Sequence, residues 1–183
     1  SANVANGITM SSNGNLALAD GTGAASNYSL NSTVINIAKR VLTSSGSKTY
    51  DANTDALAAD ITLGNLVSGE ALNHSGTATI SSANAGSYTI SNLTGISIAD
   101  GSGGTASNYT LTGGTHQLTV NQRPLNATLA RQYDGTTASA GSTLSSLDAL
   151  QGGETLTMTG SGTAASANVA NGITMSSNGN LAL

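Results

Sequence analysis

The chain has 183 residues, with nine acidic and five basic side chains, a net charge of −4, one Pro and no Cys, Phe or Trp. Five cations are too few to track a phosphate backbone, a chain without cysteine has no disulfide or thiolate–metal scaffold, and no apolar run reaches the roughly eighteen residues a membrane-spanning helix needs. Ser, Thr, Gly and Asn fill 93 positions, which predicts thin cores and small domains. Low charge and a single Pro argue against disorder, and no charged-then-apolar leader opens the sequence.

In chain order the pattern is β. Apolar residues alternate at Ile35/Ile37, Tyr88/Ile90, Ile96/Ile98, Tyr109/Leu111 and Leu118/Val120. The alternation continues at Leu125/Leu129 around Ala127, Leu156/Met158, Ile173/Met175 and Leu181/Leu183. Period two marks a half-buried strand. Turn formers separate these runs, among them Asp20-Gly21, Asp100-Gly101, Gly113-Gly114, Asp134-Gly135, Gly152-Gly153 and Asn178-Gly179. Thr54 to Leu66, and its counterpart Ala138 to Leu150, each predict at most one short helical turn.

The sequence repeats. Ser1 to Leu18 is identical to Ser166 to Leu183, at an offset of 165. A diverged repeat lies inside that period. Arg40-Val41-Leu42 matches Arg123-Pro124-Leu125, and Lys48 to Thr54 matches Arg131 to Thr137, both at an offset of 83. Leu66, Gly69, Glu70 and Leu72 match Leu150, Gly153, Glu154 and Leu156 at 84, and Ala25 to Leu30 matches Ala106 to Leu111 at 81. These offsets agree closely enough to define one repeating unit, present twice in the longer period. Residues 41–124 read as one complete module, 125–183 as the front of a second module type, and 1–40 as the back of that second type. The ends are expected to complete each other between neighbouring copies. Six to eight short strands per module favour an all-β fold of tandem small β-sandwiches, immunoglobulin-like or β-grasp-like. The alternative is a β-solenoid, whose much shorter coils would repeat several times within each unit.

Tyr133-Asp134-Gly135-Thr136-Thr137, with Arg123-Pro124-Leu125 before it and Leu150 to Gly153 after it, resembles the YDG repeat. The closing pattern Ala106 to Leu111, then Leu118-Thr119-Val120, is similar to that repeat as well. The first module departs at Asp51-Ala52-Asn53, where Gly is replaced. The resemblance covers essentially the whole chain. It implies a tandem module of large bacterial surface proteins, including filamentous-haemagglutinin-like adhesins, and no particular ligand.

Candidate site residues carry structural readings. Tyr50 and Tyr133 are expected to fill the core while Asp51 and Asp134, the latter with Gly135, turn the chain. Asn27-Tyr28 and Asn108-Tyr109 are a second repeated pair, with Tyr28 and Tyr109 at core positions. Asp20 and Asp100 open Gly-rich loops that suggest calcium, but each supplies one carboxylate where calcium wants six to eight oxygens, so turn closure is expected. His74 and His116 have no counterparts in the other module type, and no G-x-S-x-G context appears. No catalytic, cofactor-binding or metal site is expected, and no enzyme. Six Asn-x-Ser/Thr sequences, at Asn27, Asn31, Asn73, Asn92, Asn108 and Asn126, match what composition alone delivers. The expected role is a structural repeat of an extracellular adhesin stalk or matrix fibre on the surface of a Gram-negative bacterium, with neighbouring copies of the repeat as partners. The alternative is an adhesin module that binds carbohydrate or a host surface. Neither nucleic acid nor membrane insertion is expected.

Overall fold

A computed structural model describes residues 3–10, 14–177 and 181–182. The Asn178-Gly179 turn and Leu183 lie outside the described residues. The chain divides into two compact units: residues 1–48, 54–82 and 86–119, and residues 49–53, 83–85 and 120–183.

The first unit opens with β1 (Ala5–Thr9) and β2 (Val34–Ile37), an antiparallel pair joining Ile8 to Ile35 and Thr9 to Val34. β3 (Arg40–Val41), β4 (Thr43–Thr49), β5 (Asp55–Leu57) and β6 (Ile61–Gly64) follow. Then come β7 (Leu72–Thr79), β8 (Gly86–Thr89), β9 (Ile96–Asp100), β10 (Tyr109–Thr110) and β11 (Gln117–Asn121). The predicted helical turn after Thr54 is a single 3₁₀ turn, Ala58–Asp60. Ala and Asp supply no long apolar face there, so nothing extends the turn into a helix.

Beside the two-stranded pairs β1-β2 and β10-β3, two larger sheets carry this unit. One has the order β6-β4-β11-β8 and the other the order β5-β7-β9. β4 and β6 are antiparallel, with Ser44 opposite Leu63. β4 meets the β10–β11 segment in parallel: Ser44 is bridged to His116 in that sense, and β3 pairs β10 with Tyr109 opposite Arg40. β4 and β11, from the two ends of residues 41–124, thus lie side by side at the centre of the β6-β4-β11-β8 sheet. The sheet is therefore mixed rather than purely antiparallel. Period-two alternation explains the core. In β11 Leu118 and Val120 are buried while Gln117 and Asn121 face out, and in β9 Ile96 is buried while Ser97 is exposed.

The second unit contains β12 (Ala127–Leu129), β13 (Ala138–Ala140), β14 (Leu144–Leu147), β15 (Ser161–Ala164) and β16 (Met175–Ser177). β12 pairs β14, and β13-β15-β16 form a second small sheet. Their registers repeat those of the first unit. Ala138 faces Thr163 as Asp55 faces Thr79, and a 3₁₀ turn at Gly141–Thr143 stands where Ala58–Asp60 stood. The predicted strand at Leu156/Met158 is absent: neither residue is in a strand, and Leu156 is exposed. The equivalent Leu72 and His74 do lie in β7, where β9 pairs with them. The chain is all-β in several small sheets, with no closed barrel and no solenoid among the described residues.

Candidate functional site

The repeated Asn-Tyr pair marks the best-built site of the first unit. Asp100 Oδ1 accepts the Ala106 N–H at 2.7 Å, and the 3₁₀ turn Ala106–Asn108 then delivers Tyr109 to the core. The Tyr109 ring packs with Leu42 and Leu72, flanked by Leu63, Leu66 and Ile98. Its hydroxyl donates to Glu70 and accepts the Val67 N–H at 3.2 Å. The carboxylate partner raises the phenol pKa above its ordinary value. Asn108 accepts the Val4 N–H at 2.9 Å through Oδ1. Asp20 does for Ala25 what Asp100 does for Ala106, again at 2.7 Å. Both aspartates therefore close turns. Among the described residues no three His, Asp or Glu side chains gather into a possible metal site.

The same motif residues are placed differently elsewhere. Tyr28, equivalent to Tyr109, is 70% exposed, and Tyr133, equivalent to Tyr50, is 65% exposed. The expectation that these two rings fill a core is therefore corrected. A repeated residue is buried only where the strands that cover it are also present.

The second unit contains an open pocket of about 370 Å³. Leu125, Leu150, Glu154 and Leu156 line it, together with Tyr50 and Arg123. The first four are the equivalents of Leu42, Leu66, Glu70 and Leu72, the residues around Tyr109. Here Glu154 accepts a hydrogen bond from Tyr50, whose pKa it raises.

The Tyr-Asp-Gly turn is built by its aspartate. Asp134 Oδ1 accepts the Thr136 N–H and the Thr136 hydroxyl, both at 2.9 Å, and pairs with Arg131. The Thr136 N–H, then Arg131 and the Thr136 hydroxyl, hold its carboxyl down from 3.8 to about 2. Asp51 repeats the device on the Asn53 N–H, at 3.2 Å. The position after each aspartate is left-handed, at φ 78° for Gly135 and 61° for Ala52. The loss of Gly in the first module changes the residue and keeps the turn. A depressed folded pKa contributes stability above the unfolded value, and that contribution is lost as pH falls through the folded one. The Asp134 turn should therefore loosen between about pH 4 and pH 2. Carboxyl chemical shifts followed by NMR check this, and Asp134→Asn should remove that part of the acid transition.

The histidines are internal struts. His116 Nε2 lies 2.8 Å from the Leu111 carbonyl, which can only accept, so Nε2 carries the proton. Nδ1 lies 2.9 Å from the Ser44 hydroxyl, from which it accepts in the neutral ring, and both side chains are buried. His74 Nε2 lies 2.9 Å from the Ile61 carbonyl and 3.0 Å from that of Ala58.

Comparison with known families finds the YDG domain twice, over residues 37–119 and 115–183. The chain belongs to the YDG domain family. Searches of curated proteins and of solved structures give no match. In this YDG chain the family's Tyr-Asp-Gly signature is an aspartate-closed turn. A further repeated position was missed in the sequence: Gly76, in β7, and Gly160 both have positive φ, at 102° and 80°. Their recurrence at an offset of 84 was the available signal.

Proposed function

We propose that this chain is a structural repeat of an extracellular bacterial adhesin stalk or matrix fibre, of the filamentous-haemagglutinin-like kind and on a Gram-negative surface. The observation that carries the reading is the tandem pair of YDG domains in a chain whose two ends, Ser1 to Leu18 and Ser166 to Leu183, are identical. Stacked small units give length without a large common core, because each depends mainly on its neighbours. The surface supports the same role. It is rich in Ser, Thr and Asn and poor in charge, so its hydration depends little on ion pairs that salt would screen. The partners on this reading are further copies of the repeat. The test is length: chains carrying increasing numbers of the period should lengthen in proportion to that number in small-angle scattering. A radius that grows only as a compact globule's would overturn the reading.

A carbohydrate- or host-surface-binding module is the second reading, favoured by one observation: the exposed ring of Tyr133, with Arg131 two positions before it. An exposed aromatic offers a sugar a stacking face. Glycan-array binding that is lost on Tyr133→Ala would favour it.

A further inference from the structure

We infer that the pocket of the second unit is the seat for Tyr28 of a second copy of this chain, whose β2 adds in parallel to the open edge of β12. This rests on the repeat reading above and specifies the joint between copies. The complete module supplies the template.

The pair β1–β2 is the pair β8–β11 of the complete module. The Met10 N–H donates to the Thr33 carbonyl at 2.9 Å as the Ile90 N–H does to His116, also at 2.9 Å. The pair β12–β14 is likewise β4–β6, with Ala127 opposite Leu147 where Ser44 stands opposite Leu63. In the complete module β4 and β11 meet in parallel between those two pairs. Among the described residues, β2 has only β1 beside it and β12 has only β14. Joining the two edges gives the order β14-β12-β2-β1, the order of β6-β4-β11-β8.

Burial points the same way. Leu118 is fully buried, while the equivalent Ile35 is 47% exposed; Leu72 is 8% exposed and its equivalent Leu156 44%. The pocket carries Leu125, Leu150, Leu156 and Glu154, the equivalents of residues that hold Tyr109. Glu154 stands where Glu70 receives the phenol, and while its Oε1 accepts the Tyr50 hydroxyl, Oε2 is the oxygen that Glu70 offers to Tyr109. The Thr33 hydroxyl is buried without a hydrogen-bond partner, at the position where His116 bonds Ser44. Finally, Ala5 to Thr9 and Ala170 to Thr174 have identical sequences, yet the first is a strand and the second is not. What differs is β2, which pairs with the first. A strand that needs its partner's backbone bonds forms only where the partner is present.

The joint is testable by disulfide trapping, because the chain has no cysteine. Thr33 and Ala127 are the equivalents of the bridged pair His116 and Ser44. Mixed Thr33→Cys and Ala127→Cys chains should give the heterodimer as the main oxidised product. The Thr33→Cys/Ala127→Cys double variant should give a ladder of head-to-tail oligomers. Adding Tyr28→Ala, a change at an exposed ring that leaves the fold intact, should abolish both products. A mixture of Thr33→Cys with Val169→Cys, at a site 86% exposed, sets the level of random collision. Heterodimer no more abundant than in that control would overturn the inference, and so would a double variant that only closes on itself as a monomer. The length test stands apart: chains that lengthen in proportion while no heterodimer forms refute the joint and leave the stalk reading intact. A trapped joint with no proportional lengthening refutes the stalk alone.

Discussion

Leu118→Ala should lower the stability of the first unit by about 3 kcal/mol, while Ile35→Ala, at the equivalent strand position, should cost less than about 1 kcal/mol. Leu118 is fully buried in β11, whereas Ile35 in β2 is 47% exposed. Truncating the first leaves a cavity, so the lost transfer energy and the lost packing contacts add. Truncating the second removes a side chain of which about half is already hydrated, and leaves no enclosed cavity. The cost at Leu118 is large for this molecule in particular. Its fully buried larger side chains among the described residues are Leu42, Leu118 and Val120, and a domain's total stability is on the order of 5–15 kcal/mol. Urea titration checks it: the Leu118→Ala midpoint should fall with an unchanged slope. Equal losses at the two positions would mean that β2 is already covered when the chain is dilute. At concentrations where copies join, the Ile35→Ala chain should instead show its loss in assembly, so the two variants separate folding from association.

The same pair of residues shows what was legible in the sequence. Alternation placed both in strands, because side-chain direction in a strand is a local property of period two. The repeat offsets placed them at equivalent positions. Neither signal carries burial, which depends on strands from elsewhere in the chain. Tyr28 and Tyr133 were therefore expected inside and stand outside. Leu156/Met158 fails similarly: the alternation is present, but a strand also needs a neighbour along its whole length, which Leu72 and His74 find in β9. The parallel contact between β4 and β11 was not legible either. Pairing direction is decided by how the first and last strands meet, and local patterns do not record it. Turn chemistry was readable, since an Asx side chain reaches a backbone N–H only a few positions on. Asp134 and Asp51 act on the residue two places later, and Asp100 reaches Ala106.

Left-handed backbone positions give the second large effect. Gly76→Ala should destabilise the first unit by about 3 kcal/mol, through overlap and conformation together. Gly76 sits in β7 at φ 102°, where an L side chain is strained, and a methyl group there would overlap the Gly95 carbonyl oxygen. That oxygen belongs to the neighbouring backbone and accepts the Thr77 N–H at 3.1 Å, so it cannot retreat without breaking the β7–β9 ladder. Gly160→Ala, at φ 80°, should cost about 1 kcal/mol from its left-handed conformation. Ala52→Gly should act in the opposite direction and stabilise by some tenths up to about 1 kcal/mol, because Ala52 already holds the left-handed turn at φ 61° that Gly135 occupies without strain. The three variants rank as Gly76→Ala, Gly160→Ala, wild type and Ala52→Gly in rising urea midpoint. An Ala52→Gly chain less stable than wild type would show that the unfolded chain's gain in freedom outweighs the relief of the turn.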